Sequence, residues 1–541
     1  MASSGMHRSV WILLFLWCVI YCVALVHSEG TWEVLVPNAG VSSMHAVVTR
    51  FGNVVIFDRT DVGPSKINLP NGKCRNDPHD LTLKHDCTAH SILFSPATNK
   101  IRPLFLQTDT WCSSGQILGD GTLVQTGGDF DGNTKIRFFA PCPDNGFCDW
   151  VESNNQHLQN GRWYATNQVL PDGNSQIVIG GRGAFTVEYV PANGRGLTNL
   201  PFLQQTNDAQ HDNYYPFVHL LPDGNLFIFA NRDSILYNYR TNRVLRKFPT
   251  IPGEPRNYPS AGSSVLLPLV AKDGYKPADV LICGGAHPGA FNNPAAFFPA
   301  SQTCGRMTVT APNPAWLMEE MPFRRLMGDM ILLPTGDVLI INGALNGCQG
   351  WGNAKNAALN PVLYTTNGRI GRRFTTLAAT AIARVYHSTA NLLPDARILV
   401  AGSNTHQFYT FTGAFPTELR LEAFSPGYLN PAFARLRPTI LKFPAVIKYN
   451  TAFVVSATIP TQPPGTVLIN LVSASFTTHS YSHGQRLLRL AVTNHVVTAG
   501  HLNAFTAIAP PNNNVAPTSY YMLFVINNGI PSKAVWVKLS P

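Results

Sequence analysis

Gly161-Arg162-Trp163-Tyr164, continued by Leu170-Pro171-Asp172-Gly173 and by a short apolar run that ends at Gly180-Gly181, is the stretch that decides the fold. A Pro-Asp-Gly turn between β-branched runs is a hairpin signal, because proline presets its own φ and glycine accepts the positive φ of a tight turn. The same unit recurs as Phe51-Gly52-Asn53 before 54–57, Gly119-Asp120-Gly121 before 122–128 and Pro222-Asp223-Gly224 before 225–230. It recurs again as Pro334-Thr335-Gly336 before 337–342 and Pro394-Asp395-Ala396 before 397–402. A weaker copy, 279–285, follows an insertion around Lys272-Asp273-Gly274. These seven copies stand mostly 50 to 60 residues apart. A period of about 50 fits one four-stranded sheet per repeat, as in a kelch-type β-propeller. Solenoid coils are much shorter, and no segment sustains a helical period. The expected class is therefore all-β, with a seven-bladed kelch-type β-propeller.

The rhythm stops after Gly402, and a Pro- and Phe-containing connection runs through 419–438. Beyond it, strands are expected at 452–459, 466–473, 487–492, 520–526 and 534–539. Five or more short strands in such a stretch suggest an immunoglobulin-like β-sandwich. The reading divides the chain into a signal peptide at 1–28, a propeller at 29–436 and a C-terminal sandwich at 437–541.

Apolar residues make up 45% of the 541 and charged residues 13%, about half the usual charged share. The net charge of +10 is dispersed, with no basic stripe of the kind that reads nucleic acid. A diffuse positive field suits loose attraction to acidic cell-wall polysaccharide. Arg8, the apolar run 10–26 and Val26-His27-Ser28 form a secretory leader cleaved near Ser28, which places the mature chain outside the cell. That run is short for a membrane span and no basic cluster follows, so stable membrane insertion is not expected.

Of ten cysteines, Cys18 and Cys22 leave with the leader. Cys74, Cys87, Cys112, Cys142, Cys148, Cys283, Cys304 and Cys348 remain, and an oxidising compartment pairs most of them. Cys142–Cys148 is the first pair expected, then Cys74–Cys87, then Cys283–Cys304, although spacing leaves the connectivity open. If Cys112 has other work, one of the other seven lacks a partner.

Aligning the turns on Asp120, Asp172 and Asp395 puts Cys112, Tyr164 and His387 each eight residues before the turn, with Tyr386 nine before. In a propeller the first strand of each blade lines the axis, so equivalent positions converge. A Cys, two Tyr and a His around one axis suit a redox metal better than mere packing. The same offset gives Ser43, Tyr215 and Met327 in other repeats, so the position is not intrinsically a ligand position. Taken singly, Cys112 reads as a buried inert thiol and Tyr164 as a packed ring with a satisfied hydroxyl. Neighbours in a strand point to opposite faces. Tyr386 and His387 therefore reach one metal only if the strand bends or one of them binds axially.

Four segments together resemble the copper-radical oxidases, the galactose oxidase and glyoxal oxidase family, and plant glyoxal oxidases most of all. They are Thr110-Trp111-Cys112, Gly161-Arg162-Trp163-Tyr164, Arg384-Val385-Tyr386-His387-Ser388, and Thr477-Thr478-His479 followed by Gln485-Arg486. The resemblance implies one copper ion and a thioether between Cys112 and the ring of Tyr164. It implies Tyr164 as equatorial ligand and radical carrier, Tyr386 as axial ligand and base, and His387 and His479 as imidazole ligands. His479 would be delivered by a hairpin of the C-terminal domain, with His483 as its rival. Oxidation by O2 takes two electrons and Cu(II) accepts one, so a tyrosine beside the metal can hold the second.

Two departures from galactose oxidase matter. Its stacking Trp has no counterpart at Arg182-Gly183, while Trp163 replaces a small residue; and the repeats begin soon after Ser28, without a preceding sugar-binding domain. Both point to a small aldehyde such as glyoxal or methylglyoxal, oxidised with O2 to the carboxylic acid and H2O2. Two readings compete with this one. The first is a galactose or other alcohol oxidase of the same family. The second is a non-catalytic propeller that binds cell-wall glycan or protein, which would have no use for the full Cys-Tyr-Tyr-His-His set.

Overall fold

The computed structural model describes residues 29–460, 464–497 and 500–541; the leader at 1–28 lies outside them. Among the described residues the only α-helix is Pro201–Gln205, and strands make up nearly all the rest of the regular structure. All seven turn units join the first two strands of antiparallel sheets of four or more strands. In the opening repeat, Thr166–Val169, Gln176–Ile179, Thr186–Val190 and Thr198–Asn199 pair in that order. The second strands, such as Gln176–Ile179, Leu226–Ala230 and Ile398–Gly402, are buried at every position. Both faces of these sheets are covered, which is why the strands are near-continuous apolar runs rather than alternating ones.

Neighbouring sheets meet through their first strands. Ser114–Ile117 packs beside Thr166–Val169, and Thr166–Val169 beside Phe217–Leu220. Ser263–Leu266, Asp329–Leu332, Ser388–Leu392 and His45–Val48 continue the sequence. The seventh sheet takes its outer strand from the other end of the chain: Thr31–Val36 pairs antiparallel with Leu421–Ser425. The first sheet is extended by Phe476–Thr478 and Tyr481–His483 from the C-terminal region.

That region forms two sheets. One orders Thr439–Lys442, Ala452–Thr458, Leu502–Ile508 and Ala491–Val497; the other is built around Val467–Ser473, Ser519–Asn527 and Val535–Ser540. The single strand expected at 487–492 is two strands. Leu487–Arg489 pairs with Val467–Ser473, and Ala491–Val497 pairs with Leu502–Ile508. The chain switches sheets at Leu490, the kind of corner that joins the layers of packed sheets.

The insertion in the fifth repeat has a use as well, since its Leu269–Val270 pairs in parallel with Leu487–Arg489. One continuous core joins the two regions, with Phe217, Phe227 and Val280 packed among Phe453, Val455, Ile469 and Leu471. Full burial of each such side chain contributes about 1.5–3 kcal/mol. The disulfides are Cys74–Cys87, Cys142–Cys148 and Cys283–Cys304, the three pairs expected. Cys112 and Cys348 stay unpaired and buried. Among the described residues no helix is long and apolar enough to cross a membrane.

Candidate metal centre

One backbone device positions most of the site. Cys112, Tyr164, Tyr215, Ala261, Met327 and His387 stand just before the first strands of their sheets, with φ of 49°, 64°, 49°, 47°, 56° and 60°. Left-handed backbone costs a non-glycine residue about 1–2 kcal/mol, so the surroundings must hold it. Part of that hold is a backbone relay from sheet to sheet. The N–H of Tyr164 donates to the carbonyl of Cys112 (2.9 Å), that of Tyr215 to Tyr164 (2.9 Å) and that of Met327 to Ala261 (2.7 Å). The arginines of the motifs brace the same turns. Arg162 donates to the carbonyl of Gly180 (2.8 Å) and to Glu188 (2.8 Å), and Arg384 to that of Gly402 (2.7 Å) and to Glu422 (2.9 Å).

The device also answers the difficulty of adjacent ligands. The left-handed residue at 387 interrupts strand alternation, so the rings of Tyr386 and His387 lie side by side with centroids 3.8 Å apart.

His479 arrives differently. It is at the tip of the hairpin Phe476–Thr478/Tyr481–His483, where His479 and Ser480 both have positive φ, 46° and 68°. A two-residue type I′ loop requires that conformation at both positions. Three side chains fasten the hairpin to first strands of the sheets. The Tyr481 hydroxyl accepts from the N–H of Val218 (2.8 Å) and donates to its carbonyl (2.7 Å). Gln485 bridges the N–H of Leu332 (2.6 Å) and the carbonyl of Met330 (2.9 Å), and Arg486 reaches the carbonyl of Leu220.

These elements bring Cys112, Tyr164, Tyr386, His387 and His479 together. The ligand atoms of Cys112, His387 and His479 all lie within 4.8 Å of one another. His479 Nε2 is 3.1 Å from the Cys112 sulfur, and its ring centroid is 4.8 Å from His387 and 5.7 Å from Tyr386. Thr478 Oγ1 is 2.6 Å from His479 Nδ1, which leaves Nε2 facing the cluster. His483 stays outside: its ring packs on Phe476 and Tyr481. The other sulfur–imidazole group, Cys74, His85 and Cys87, has both sulfurs tied in a disulfide.

Burial pushes the phenols of Tyr164 and Tyr386 and the thiol of Cys112 well above their usual range. Burial likewise holds the imidazoles of His387 and His479 well below theirs. The pocket thus holds two neutral imidazoles as ready donors and two phenols that only a cation would ionise. That donor set fits Cu(II).

Tyr258 joins the site without sharing the common offset. Its hydroxyl lies between those of Tyr164 (3.1 Å) and Tyr386 (3.3 Å), and its ring stacks on Tyr164 with centroids 4.3 Å apart. Tyr258 precedes its left-handed residue, Ala261, in the repeat whose turn carries the insertion, so no fixed spacing exposes it. Trp163 covers Tyr164 from another side at 4.8 Å, and Arg182 lies over Trp163 at 4.8 Å. A tryptophan therefore does stack on Tyr164, from the neighbouring position in the chain.

The family described as Glyoxal oxidase N-terminus matches residues 44–428, and the Galactose oxidase-like, Early set domain matches 437–539. The aldehyde oxidase GLOX of Vitis pseudoreticulata is 53% identical over 519 residues, 96% of this chain and 99% of that one. Aldehyde oxidase GLOX1 of Arabidopsis thaliana is 43% identical over 94% of this chain and 84% of its own. A fungal alcohol oxidase of the AA5 family, solved in complex with copper, superposes with a TM-score of 0.71 at 18% identity. That superposition covers 95% of this chain and 100% of the other, a likeness of fold. The family match across the repeats, together with these plant relatives, places the chain in the glyoxal oxidase family.

Proposed function

We propose that the protein is a copper-radical oxidase that converts a small aldehyde, such as glyoxal or methylglyoxal, and O2 to the carboxylic acid and H2O2. Its frame is a seven-bladed kelch-type propeller at 29–436 followed by an immunoglobulin-like sandwich at 437–541. The observation that carries the reading is the convergence of Cys112, His387 and His479 with Tyr164 and Tyr386 in one buried pocket. Tyr164, Tyr386, His387 and His479 would hold one copper ion, which supplies one of the two electron-accepting centres.

Tyr164 supplies the other. In the cross-link, a bond from the Cys112 sulfur to the Tyr164 ring replaces the thiol S–H and a ring C–H, and O2 takes up the two hydrogens. The sulfur then spreads the unpaired electron and eases oxidation of the phenol. Trp163, stacked on Tyr164, keeps solvent from the radical. Tyr258 holds the two phenol oxygens in register through its hydroxyl. Tyr386 acts as base and takes the substrate hydroxyl proton, which requires that it be ionised first. A hydrated aldehyde is a gem-diol, so it offers that hydroxyl and the C–H to be broken on one carbon.

Three disulfides suit an oxidising compartment, and secretion by the 1–28 leader belongs to the proposal. Attraction to acidic wall polysaccharide rests on the +10 charge alone.

Peptide mapping after copper exposure tests the core of the reading. A peptide pair joining Cys112 to Tyr164, lighter by two hydrogens, is expected; an alkylatable Cys112 in active enzyme rejects the mechanism. On the substrate, kcat/KM should favour glyoxal and methylglyoxal over galactose by at least about tenfold, or ~1.4 kcal/mol of transition-state preference. Equal or better turnover of galactose by the activated enzyme would make it an alcohol oxidase.

A further inference from the structure

The radical proposed at Tyr164 has to be made and restored, yet that ring is almost wholly buried. Tyr164 is 5% exposed and Cys112 is fully buried. An electron leaving Tyr164 must cross protein, and electron transfer slows exponentially with the gap. Contacting aromatic rings divide such a gap into short steps.

Two such series leave Tyr164 among the described residues: one runs through Tyr214 (5.4 Å) to the exposed His211 (5.5 Å), whose imidazole is a poor electron donor, and the other is made of indoles. Trp163 stacks on Tyr164 at 4.8 Å and meets Trp111 edge-on at 4.9 Å; Trp111 stacks on Trp351 at 5.2 Å with an interplanar angle of 15°. Trp351 is 36% exposed. Apart from Tyr164 every ring in this second series is an indole, the neutral aromatic side chain that gives up an electron most readily without losing a proton. We infer that Trp163, Trp111 and Trp351 form a conduit that carries single electrons from Tyr164 to the surface, where a one-electron oxidant collects them at Trp351. The inference rests on the proposal that Tyr164 carries the radical.

Three further observations fit conduction better than simple shielding. First, Arg182 lies over Trp163 at 4.8 Å, and Arg59 lies over Trp111 at 4.4 Å and over Trp351 at 5.0 Å. A guanidinium attracts a neutral indole face but opposes a positive charge on it. A hole therefore does not settle on any of the three indoles and moves inward to Tyr164, where the sulfur-substituted phenolate holds it. Second, the Nε1 of Trp111 is buried without a hydrogen-bond partner. No base stands ready to take its proton, so a hole on Trp111 stays mobile instead of being trapped as a neutral radical.

Third, the loop bearing Trp351 is pinned. The N–H of Gln349 donates to the carbonyl of Pro259 (2.9 Å), that of Gly352 to Thr405 (3.0 Å), and Gln349 Nε2 to Ser480 Oγ (3.2 Å), next to His479. The ring contact is thus fixed to the same frame as the site. In each transfer Tyr164, which a bound copper ion would hold as a phenolate, loses one electron and the external oxidant gains one; no bond forms or breaks and no proton leaves. Arg59 beneath Trp351 is buried and paired with Asp61 (3.4 Å), so the preference for an anionic oxidant rests on the net charge of +10.

The experiment uses copper-loaded, cross-linked enzyme, first reduced to its radical-free state and then mixed rapidly with hexachloroiridate(IV), an anionic one-electron oxidant. Loss of the iridate colour and growth of the tyrosyl-radical spectrum are followed in wild type, Trp351→Phe, Trp111→Phe and Trp351→Tyr. Both phenylalanine variants should form the radical at least about tenfold more slowly, to the same final yield, and Trp351→Tyr should recover most of the rate. Once activated, Trp351→Phe should turn over glyoxal as wild type does. Equal rates of radical formation in the cross-linked wild type and the two phenylalanine variants would overturn the conduit alone. A wild type that lacks the Cys112–Tyr164 cross-link would overturn the copper-radical reading and the conduit with it. Slower glyoxal turnover by Trp351→Phe with unchanged radical formation would make the ring part of the substrate path, and would also overturn the conduit.

Discussion

The repeats supply Cys112, Tyr164, Tyr386 and His387 from strand ends that recur, whereas the C-terminal region supplies His479 from a hairpin that occurs once. In the repeats the backbone does the placing. Before six of the seven first strands a left-handed residue turns inward, and the fold is indifferent to its identity, since Tyr215, Ala261 and Met327 adopt φ values close to those of Cys112 and His387. In the hairpin, side chains do the placing: Tyr481, Gln485 and Arg486 hydrogen-bond to main-chain groups of first strands. A generic position can be given to chemistry or withheld from it without disturbing the sheet. A position built once, from specific side chains, can be lost by changing any of them.

The sharpest test of this contrast is the ligand itself. His479→Ala should lower Cu(II) affinity by more than the ~10–100-fold typical of losing an outer hydrogen-bond partner, while His483→Ala should cost less than that. Cu(II) titration followed by electron paramagnetic resonance decides it, and the reverse ranking would move the ligand to His483. Tyr481→Phe should have the next largest effect. It leaves the buried N–H and carbonyl of Val218 without their partner, at about 1–3 kcal/mol for each group left unsatisfied. The melting temperature should fall, and copper affinity with it, because His479 is two residues away. An unchanged melting temperature would show that the hairpin is held by its strand pairing alone.

The smallest effects compare equivalent turns. Gly173 and Ala396 both have φ of 72°. A Cβ on Gly173 would sit 2.0 Å from the Thr518 carbonyl oxygen. Gly173→Ala should therefore destabilise by more than the ~1–2 kcal/mol of left-handed strain alone. Ala396→Gly relieves that strain but gives up one buried methyl worth about 0.8 kcal/mol, so it should stabilise by less than about 1 kcal/mol. Denaturant unfolding of the two variants checks both signs. A stabilised Gly173→Ala would mean that the C-terminal segment does not bear on this turn.

Much of the protein was fixed by local chemistry and is legible in the chain. Proline and glycine set φ within a turn, so the seven strand–turn–strand units and their period stand in the sequence. The three disulfides are foreshadowed by short spacings, which leave the connectivity open until the strands place Cys283 opposite Cys304. The common offset of Cys112, Tyr164 and His387 follows from the same repeat. Tertiary structure decided the rest, wherever the partner is distant or the local signal is absent. Thr31–Val36 completes a sheet with Leu421–Ser425, a pairing that no local pattern encodes. Tyr258 reaches the site from a repeat with a broken spacing, and Trp351 meets Trp111 from a loop outside any repeat unit. The choice of His479 over His483 depends on a type I′ loop made of His479-Ser480. That loop lacks the Asn-Gly or Asp-Gly that usually marks it, so only packing against the first strands pays the cost of its left-handed backbone and aims one imidazole at the cluster.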